Sequence, residues 1–257
     1  MRFVDTHAHL PMLEQCPIED ILAHAKAQGI EKMVTVSTDE GSWESNRNLA
    51  LKYSHLYYSL GLHPHDALRF AECAGVLNDY FAEGVPPKCV ALGEMGLDFH
   101  YDFCPKEVQV DVLESQFLLA RKVDLPVILH CREAFDELYA SIRGVGLSPR
   151  GGVMHCFTGS TEQALEAIDL GLKISFSGIL TFKNAEGLRK TAAALPEESL
   201  LIETDCPYLA PIPFRGKPNE PAFLPMTAQT LAAARGTSVE AIAELTARNA
   251  IEFFRLE

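Results

Sequence analysis

The sequence has no apolar run approaching the roughly 20 residues that a helix needs to cross a bilayer. It also shows no apolar N-terminal stretch followed by a cleavage site, and none of its seven cysteines forms a C-x-x-C pair. A signal peptide, a membrane span and a paired-cysteine redox motif are therefore not expected. These absences favour a cytoplasmic protein that keeps its thiols reduced.

Positive charge is scarce. Lys and Arg number 22 against 35 Asp and Glu, which gives a formal net charge of −13. Such a surface lacks the basic footprint of a duplex-binding protein and repels a long polyanion. Any nucleic-acid partner is therefore expected to be short, single-stranded or held locally by metal ions.

Two common active-site motifs are also missing. No glycine-rich phosphate loop follows the first predicted strand, where His7 and His9 stand instead, and no Gly-x-Ser-x-Gly elbow occurs. The first absence weighs against an open dinucleotide-binding sheet, and the second against a serine nucleophile.

Eight short β-rich runs alternate with helical patterns along the 257 residues. Alternation of this kind indicates a parallel sheet with right-handed crossovers, and eight repeats in this length predict a (β/α)₈ barrel, an α/β fold in one domain spanning residues 1–257. Two capping boxes are predicted, Ser160 with Gln163 and Thr237 with Glu240. The predicted strands are 2–5, 32–36, 56–60, 90–92, 127–129, 153–154, 172–176 and 200–202.

Residues that can bind metals follow most of these strands. Because alternate side chains of a strand share a face, His7 and His9 project together. Reactive groups of such barrels lie at the carboxyl ends of the strands, so the recurrence of these residue types at one structural position predicts a metal centre. The candidates are His7, His9, His63, Glu94, His130, His155 and Asp205.

All of these except His63 divide naturally over two ions, since six ligands are too many for one catalytic ion. His7, His9 and Asp205 would hold one ion, His130 and His155 the other, and Glu94 would bridge them. Imidazoles with two carboxylates suit Zn²⁺, Mn²⁺, Fe²⁺ or Ni²⁺. Two divalent ions would leave the site positive and attract an anionic group despite the acidic surface.

Several motifs resemble one known family almost from end to end. They include Asp5-Thr6-His7-Ala8-His9-Leu10, Gly61-Leu62-His63-Pro64, Gly93-Glu94-Met95-Gly96-Leu97-Asp98, Leu129-His130-Cys131-Arg132, His155-Cys156-Phe157-Thr158-Gly159 and Glu203-Thr204-Asp205-Cys206-Pro207. The chain resembles the TatD-type metal-dependent deoxyribonucleases of the amidohydrolase-like barrel superfamily.

This resemblance implies metal ligands at the six positions above, with Glu94 shared and His63 close to the scissile phosphate. It also implies DNA as the substrate, degraded from a 3′ end with two divalent ions per chain, for which Mg²⁺, Mn²⁺ and Zn²⁺ are candidates. At residue 100 this chain has histidine, where the family often has an aromatic residue or arginine after Gly-Leu-Asp. This difference affects the expected substrate contacts and not the metal site.

Other polar residues have two interpretations each. Arg132 is either a phosphate clamp or the partner of Glu133 or Asp98, and Lys183 and Arg215 are either rim cations or solvated loop residues. Asp5 and Asp98 either orient a metal ligand or bond to backbone. Cysteines 131, 156 and 206 are expected to be small buried thiols, and His65 and Trp43 to be surface or loop residues.

The predicted reaction is hydrolysis of phosphodiesters by a metal-activated water, with Asp205 accepting its proton and His63 and Arg132 stabilising the phosphoryl charge. Two alternatives remain. One is a small-molecule amidohydrolase, lactonase or phosphotriesterase on the same barrel, and the other is an inactive barrel that serves as a binding module.

Overall fold

The structure, a computed structural model, describes residues 1–257. Eight strands form one sheet in chain order, and neighbouring strands run parallel. The strands are β1 Phe3–Ala8, β2 Ile30–Thr35, β3 Leu56–Leu60, β4 Cys89–Asp98, β5 Val127–Arg132, β6 Gly152–Met154, β7 Leu172–Phe176 and β8 Leu200–Ile202.

Nine α-helices connect and follow the strands. They are α1 Ile18–Ala27, α2 Glu40–Lys52, α3 Phe70–Asp79, α4 Lys106–Val123, α5 Phe135–Val145, α6 Thr161–Asp169, α7 Glu186–Ala194, α8 Leu224–Arg235 and α9 Val239–Phe254. None of the helices combines the length and the apolarity that crossing a membrane would require.

The first strand meets the chain just after the last one. Ala8 forms a parallel bridge with Cys206, the His9 N–H donates to the Cys206 carbonyl, and the Asp205 N–H donates to the His7 carbonyl. This closure of an eight-stranded parallel sheet confirms the predicted (β/α)₈ barrel.

The chain divides into two compact units. Residues 1–35, 155–169 and 173–257 form the first, and residues 36–154 and 170–172 form the second. In the first, all six residues of β1 are buried, and in the second all ten residues of β4 are. Buried strands of this kind are typical of a parallel sheet covered by helices. The prediction of a single domain stays a prediction.

Three strands extend further than the sequence predicted. Strand β1 continues to Ala8, β4 to Asp98 and β5 to Arg132, so that His7, Glu94 and His130 lie within strands rather than in the loops after them. Regular strand geometry therefore fixes the direction of each of these side chains.

The two predicted helix caps have different outcomes. Ser160 and Gln163 exchange hydrogen bonds before α6, as predicted. The position predicted for the second capping box, Thr237, is wrong by one residue. Ser238 caps α9 instead, by accepting the Ala241 N–H at 3.1 Å. Thr237 instead donates its own N–H to Ala232 and completes the last turn of α8.

Trp43 is buried, contrary to the expectation of a surface residue. Its side chain is 1% exposed, and Nε1 donates to the Gly61 carbonyl at 2.8 Å. The indole supplies both a large apolar surface and a satisfied donor, which makes it a core residue between α2 and the end of β3.

Candidate metal centre

In the first unit, three donor atoms converge at the carboxyl ends of β1 and β8. The Nε2 atoms of His7 and His9 lie 3.2 Å apart, and Oδ1 of Asp205 is 3.4 Å from His9 Nε2 and 3.8 Å from His7 Nε2. Donors bound tetrahedrally to one ion at about 2.0–2.1 Å lie about 3.3 Å from each other. The spacing therefore fits a divalent ion held by these three side chains.

Asp205 is the ionised member of this group. Burial alone would raise the pKa of its carboxyl, but the hydrogen bond to His9 and the neighbouring His7 and His155 bring the pKa below its ordinary value. Its backbone adopts a φ of 56°, a left-handed conformation that aspartate tolerates better than most residues. The chain thus accepts local strain at the residue that brings this carboxylate to the histidines.

His155 belongs to the same unit and stacks on His7. The ring centroids are 4.0 Å apart with planes 15° from parallel, and His155 Nδ1 lies 3.4 Å from Oε1 of Glu203. The His7, His155 and Glu203 side chains form a second possible ligand group. We call His7, His9, His155, Glu203 and Asp205 the β1/β8 cluster.

Sequence reasoning missed Glu203. This carboxylate is fully buried, accepts the Ser175 hydroxyl at 2.6 Å through Oε2 and accepts the Cys156 N–H at 2.5 Å through Oε1. A signal was available, because Glu203 and Asp205 are two residues apart, like His7 and His9, and can face the same side of an extended segment.

Asp5 bonds to Thr204 and to backbone rather than to an imidazole ring. Its Oδ2 accepts the Thr204 hydroxyl at 2.6 Å, and its Oδ1 accepts the N–H groups of Thr204 at 3.0 Å and His7 at 3.3 Å. Burial raises the pKa of this carboxyl to about 7 despite those bonds. Asp5 therefore links β1 to the segment after β8 by hydrogen bonds. This agrees with the interpretation that Asp5 bonds to backbone.

In the second unit, His130 lies between two carboxylates. Its Nδ1 is 3.1 Å from Oε1 of Glu94, and its Nε2 is 3.2 Å from Oδ2 of Asp98. His63 Nε2 approaches the same Glu94 oxygen at 3.6 Å, so that His63, Glu94 and His130 form a possible ligand group.

Asp98 also binds His65, whose Nε2 lies 2.9 Å from Oδ2. Burial would raise the pKa of Asp98, but the hydrogen bonds with His130 and His65 hold it well below its usual range. The expectation that His65 is merely a surface or loop residue is therefore wrong, since it follows β3 on a short helix that turns it back to this carboxylate. We call His63, His65, Glu94, Asp98 and His130 the β4/β5 cluster.

A glycine allows β4 and β5 to approach each other at this cluster. Gly96 pairs with His130 in the sheet, and a Cβ on Gly96 would overlap the His130 carbonyl. Its φ of 148° also disfavours any other residue. The backbone that positions His130 thus requires glycine at residue 96.

The candidate substrate-binding cations stand in exposed positions. The Arg132 guanidinium lies 4.8 Å from the centre of the Tyr101 ring, and that of Arg215 lies 4.0 Å from the Phe182 ring. The carboxylates proposed as partners of Arg132 bind histidines, Glu133 contacting His100 at 2.7 Å and Asp98 contacting His65 and His130. Lys183 is an exposed loop residue after β7.

The three cysteines next to proposed ligands are not alike. Cys206 is buried as expected, but Cys131 and Cys156 are partly exposed. The expectation of a buried thiol fails at Cys156 because β6 ends at Met154, and Cys156 lies in the turn that follows, with a φ of 44° and its Sγ 3.1 Å from the Ser177 hydroxyl oxygen. Asn219 shapes its loop by donating to the carbonyls of Thr204 and Tyr208.

Comparison with known families and proteins agrees with the resemblance seen in the sequence. A family model described as TatD related DNase matches residues 4–255. The chain is 39% identical over 254 residues to YabD of Bacillus subtilis (strain 168), named an uncharacterized metal-dependent hydrolase, and covers 98% of each protein. It is 33% identical over 244 residues to a protein of Klebsiella pneumoniae (strain 342) named 3′-5′ ssDNA/RNA exonuclease TatD, covering 93% of this chain and 92% of that one.

Solved structures agree as well. The crystal structure of the TatD homologue YjjV from Escherichia coli K12 superimposes with a TM-score of 0.93 and 35% identity, covering 100% of this chain and 99% of that chain. An organophosphorus hydrolase variant from Deinococcus radiodurans shares the fold at a TM-score of 0.62 and 12% identity, covering 98% of this chain and 92% of that one.

Proposed function

Because this chain belongs to the family of TatD-related DNases and is a metal-dependent hydrolase, we propose that it hydrolyses phosphodiester bonds of single-stranded DNA from the 3′ end. The observation that carries the proposal is the convergence of His7 Nε2, His9 Nε2 and Asp205 Oδ1 at separations of 3.2–3.8 Å. A second imidazole and carboxylate pair, His130 with Glu94 at 3.1 Å, supports it.

The proposal places two divalent ions on the six ligands expected from the sequence: His7, His9, Glu94, His130, His155 and Asp205. Mg²⁺, Mn²⁺ and Zn²⁺ are the candidates, and the imidazole-rich donor set favours Mn²⁺ or Zn²⁺ over Mg²⁺. Glu94 is proposed as the shared ligand. When bound, such ions lower the pKa of water and neutralise charge on a phosphoryl oxygen.

In this proposal, side chains of the protein accept the proton and bind the phosphate. Asp205, whose carboxylate lies 3.4 Å from His9, accepts the proton of the attacking water. His63, partly exposed and 3.6 Å from Glu94, donates to a phosphoryl oxygen as negative charge develops there. The exposed guanidinium of Arg132 can hold two phosphate oxygens at once, and Arg215 and Lys183 supply weaker attraction.

A single strand fits the charge of the protein better than a duplex does. With a net charge of −13, attraction for a polyanion must be concentrated at the metal site and a few cations. Relatives at 32–33% identity are named as 3′-5′ ssDNA/RNA exonucleases, which supports the proposed polarity.

The test is hydrolysis of a 3′-labelled oligonucleotide with Mn²⁺ or Mg²⁺. We expect release of labelled mononucleotides, abolished by a chelator and reduced at least about a hundredfold in His155→Ala. His55→Ala, which removes a half-buried histidine just before β3 that belongs to neither cluster, is the matched control and should be fully active. Hydrolysis that survives the chelator or the His155 substitution would contradict the proposal.

The same assay distinguishes the proposed nuclease from a hydrolase of small molecules. An enzyme for lactones or neutral phosphotriesters would hydrolyse such compounds as fast as DNA and would show no dependence on oligonucleotide length. A length-dependent kcat/KM and slow turnover of neutral esters are the results that the proposed function predicts.

A further inference from the structure

Two aromatic side chains are exposed in the loop after β4. The Tyr101 side chain is 43% exposed and Phe103 is 59% exposed, and their rings stack 5.3 Å apart with planes 28° from parallel. Large aromatic rings are normally buried for their apolar area, and two exposed together indicate a surface kept for a ligand.

The loop that carries them is anchored to the β4/β5 cluster. Asp98 Oδ1 accepts the N–H groups of His100 at 3.0 Å and Tyr101 at 3.2 Å, while its Oδ2 binds His65 and His130. Gln109 fixes the other end by donating to the carbonyls of Asp98 and Cys104. One carboxylate thus links the exposed rings to a proposed metal ligand.

The rings also meet cationic or imidazole groups. The Arg132 guanidinium lies 4.8 Å from the Tyr101 centroid, and the His65 ring contacts Tyr101 at 5.6 Å and Phe103 at 4.8 Å. A planar aromatic surface beside a guanidinium matches a nucleotide, whose base stacks while its phosphate pairs with the cation.

We propose that Tyr101 and Phe103 form a stacking platform for an unpaired base of single-stranded DNA, with Arg132 on the adjoining phosphate. This inference rests on the proposed function and adds to it a base-binding site outside the metal ligands. Stacking reads no hydrogen-bond pattern, so the platform accepts all four bases. A protein partner is the less favoured occupant, because the platform comprises only two rings, far less than a stable interface buries.

The experiment compares a normal oligonucleotide with one whose bases are removed at successive positions from the 3′ end, leaving the phosphates. For the metal-loaded wild-type protein we expect KM to be at least about fivefold higher for the abasic strand. In the double variant Tyr101→Ala, Phe103→Ala, KM for the normal strand should rise by a similar factor and the difference between the two strands should disappear.

Two further variants exclude trivial explanations. Tyr101→Trp should keep the preference for bases, since it retains a flat ring. Leu118→Ala, which truncates an apolar side chain 57% exposed on α4, should leave KM for both strands unchanged. A general effect of the loop on folding would raise KM for both strands equally and would overturn the inference.

The failures of the two proposals are distinguishable. One outcome is that the wild type hydrolyses DNA while the double variant keeps the wild-type ratio of KM for the abasic strand to KM for the normal strand. In that case the stacking proposal is wrong and the nuclease function stands. If the wild type binds normal strands more tightly than abasic ones without cutting either, and the double variant loses this difference, the nuclease function is wrong and the platform stands. If it neither binds nor cuts single-stranded DNA, both are wrong.

Discussion

The carboxylate of Asp98 holds the ring of His130 from the side opposite to Glu94: Oδ2 of Asp98 lies 3.2 Å from Nε2, and Oε1 of Glu94 lies 3.1 Å from Nδ1. A carboxylate on the second ring nitrogen of a metal-binding histidine typically fixes its orientation and raises its basicity. His65 shares the same Asp98 oxygen at 2.9 Å, so one buried acid positions two imidazoles.

Asp98→Asn should therefore weaken metal binding without unfolding the protein. The amide keeps the shape of the side chain but loses its charge, and we expect a loss of about 10–100-fold in Mn²⁺ affinity, measured by chelator competition. Asp111→Asn, on an exposed position of α4, is the control. An affinity unchanged from the wild type would show that Asp98 does not position His130 for a metal.

Ser175→Ala should destabilise the fold by about 1–3 kcal/mol in urea unfolding. The Ser175 hydroxyl donates to the buried carboxylate of Glu203 at 2.6 Å, and its removal leaves that carboxylate with one donor fewer. Ser115→Ala removes an exposed hydroxyl that bonds only to its own helix and should change the free energy of unfolding by less than about 0.5 kcal/mol. Equal effects of both substitutions would contradict this account.

Arg132→Ala should raise KM for single-stranded DNA by about tenfold or more, because a phosphate loses a charge-assisted bidentate partner. The slope of log KM against log salt should fall by about 0.7, the value for one phosphate contact on a single strand. Arg132→Lys should restore the salt slope but not the full affinity. Arg2→Ala, which removes a half-exposed cation paired with Glu31 just before β1, should change neither quantity.

A buried thiol makes stability depend on alkaline pH. Burial raises the pKa of Cys89 to about 12 from an ordinary value of 9.0. At a pH between these two pKa values, the thiol of the unfolded chain loses its proton and the thiol of the folded chain keeps it. The free energy of unfolding therefore decreases as the pH rises above about 9.

Wild-type protein should therefore lose about 1 kcal/mol more unfolding free energy than Cys89→Ala between pH 8 and pH 10. Urea unfolding at the two pH values measures both proteins. Parallel losses would show that Cys89 ionises normally in the folded state.

The fold and most of the site could be predicted from local patterns. Strand ends recur at regular intervals, and because side chains alternate along a strand, His7 and His9 could be paired from sequence alone. Strand β4 was predicted too short because Gly93 and Gly96 disfavour an extended strand, whereas the structure uses Gly96 for close approach to His130.

The positions of His65 and Glu203 in the site could not be predicted from the sequence. His65 reaches Asp98 across 33 residues, and Glu203 reaches Ser175 across 28, so their partners follow from tertiary packing and not from periodicity. The Tyr101 and Phe103 pair was missed for a related reason, since a sequence does not show which aromatic rings remain exposed.

Metal content tests the central claim most directly. After equilibrium dialysis against Mn²⁺, elemental analysis should find two ions per chain in the wild type. One should remain in His9→Ala, which disrupts the β1/β8 cluster, and one in His130→Ala, which disrupts the β4/β5 cluster. A wild-type protein that takes up no Mn²⁺, or two variants that still bind two ions each, would contradict the account.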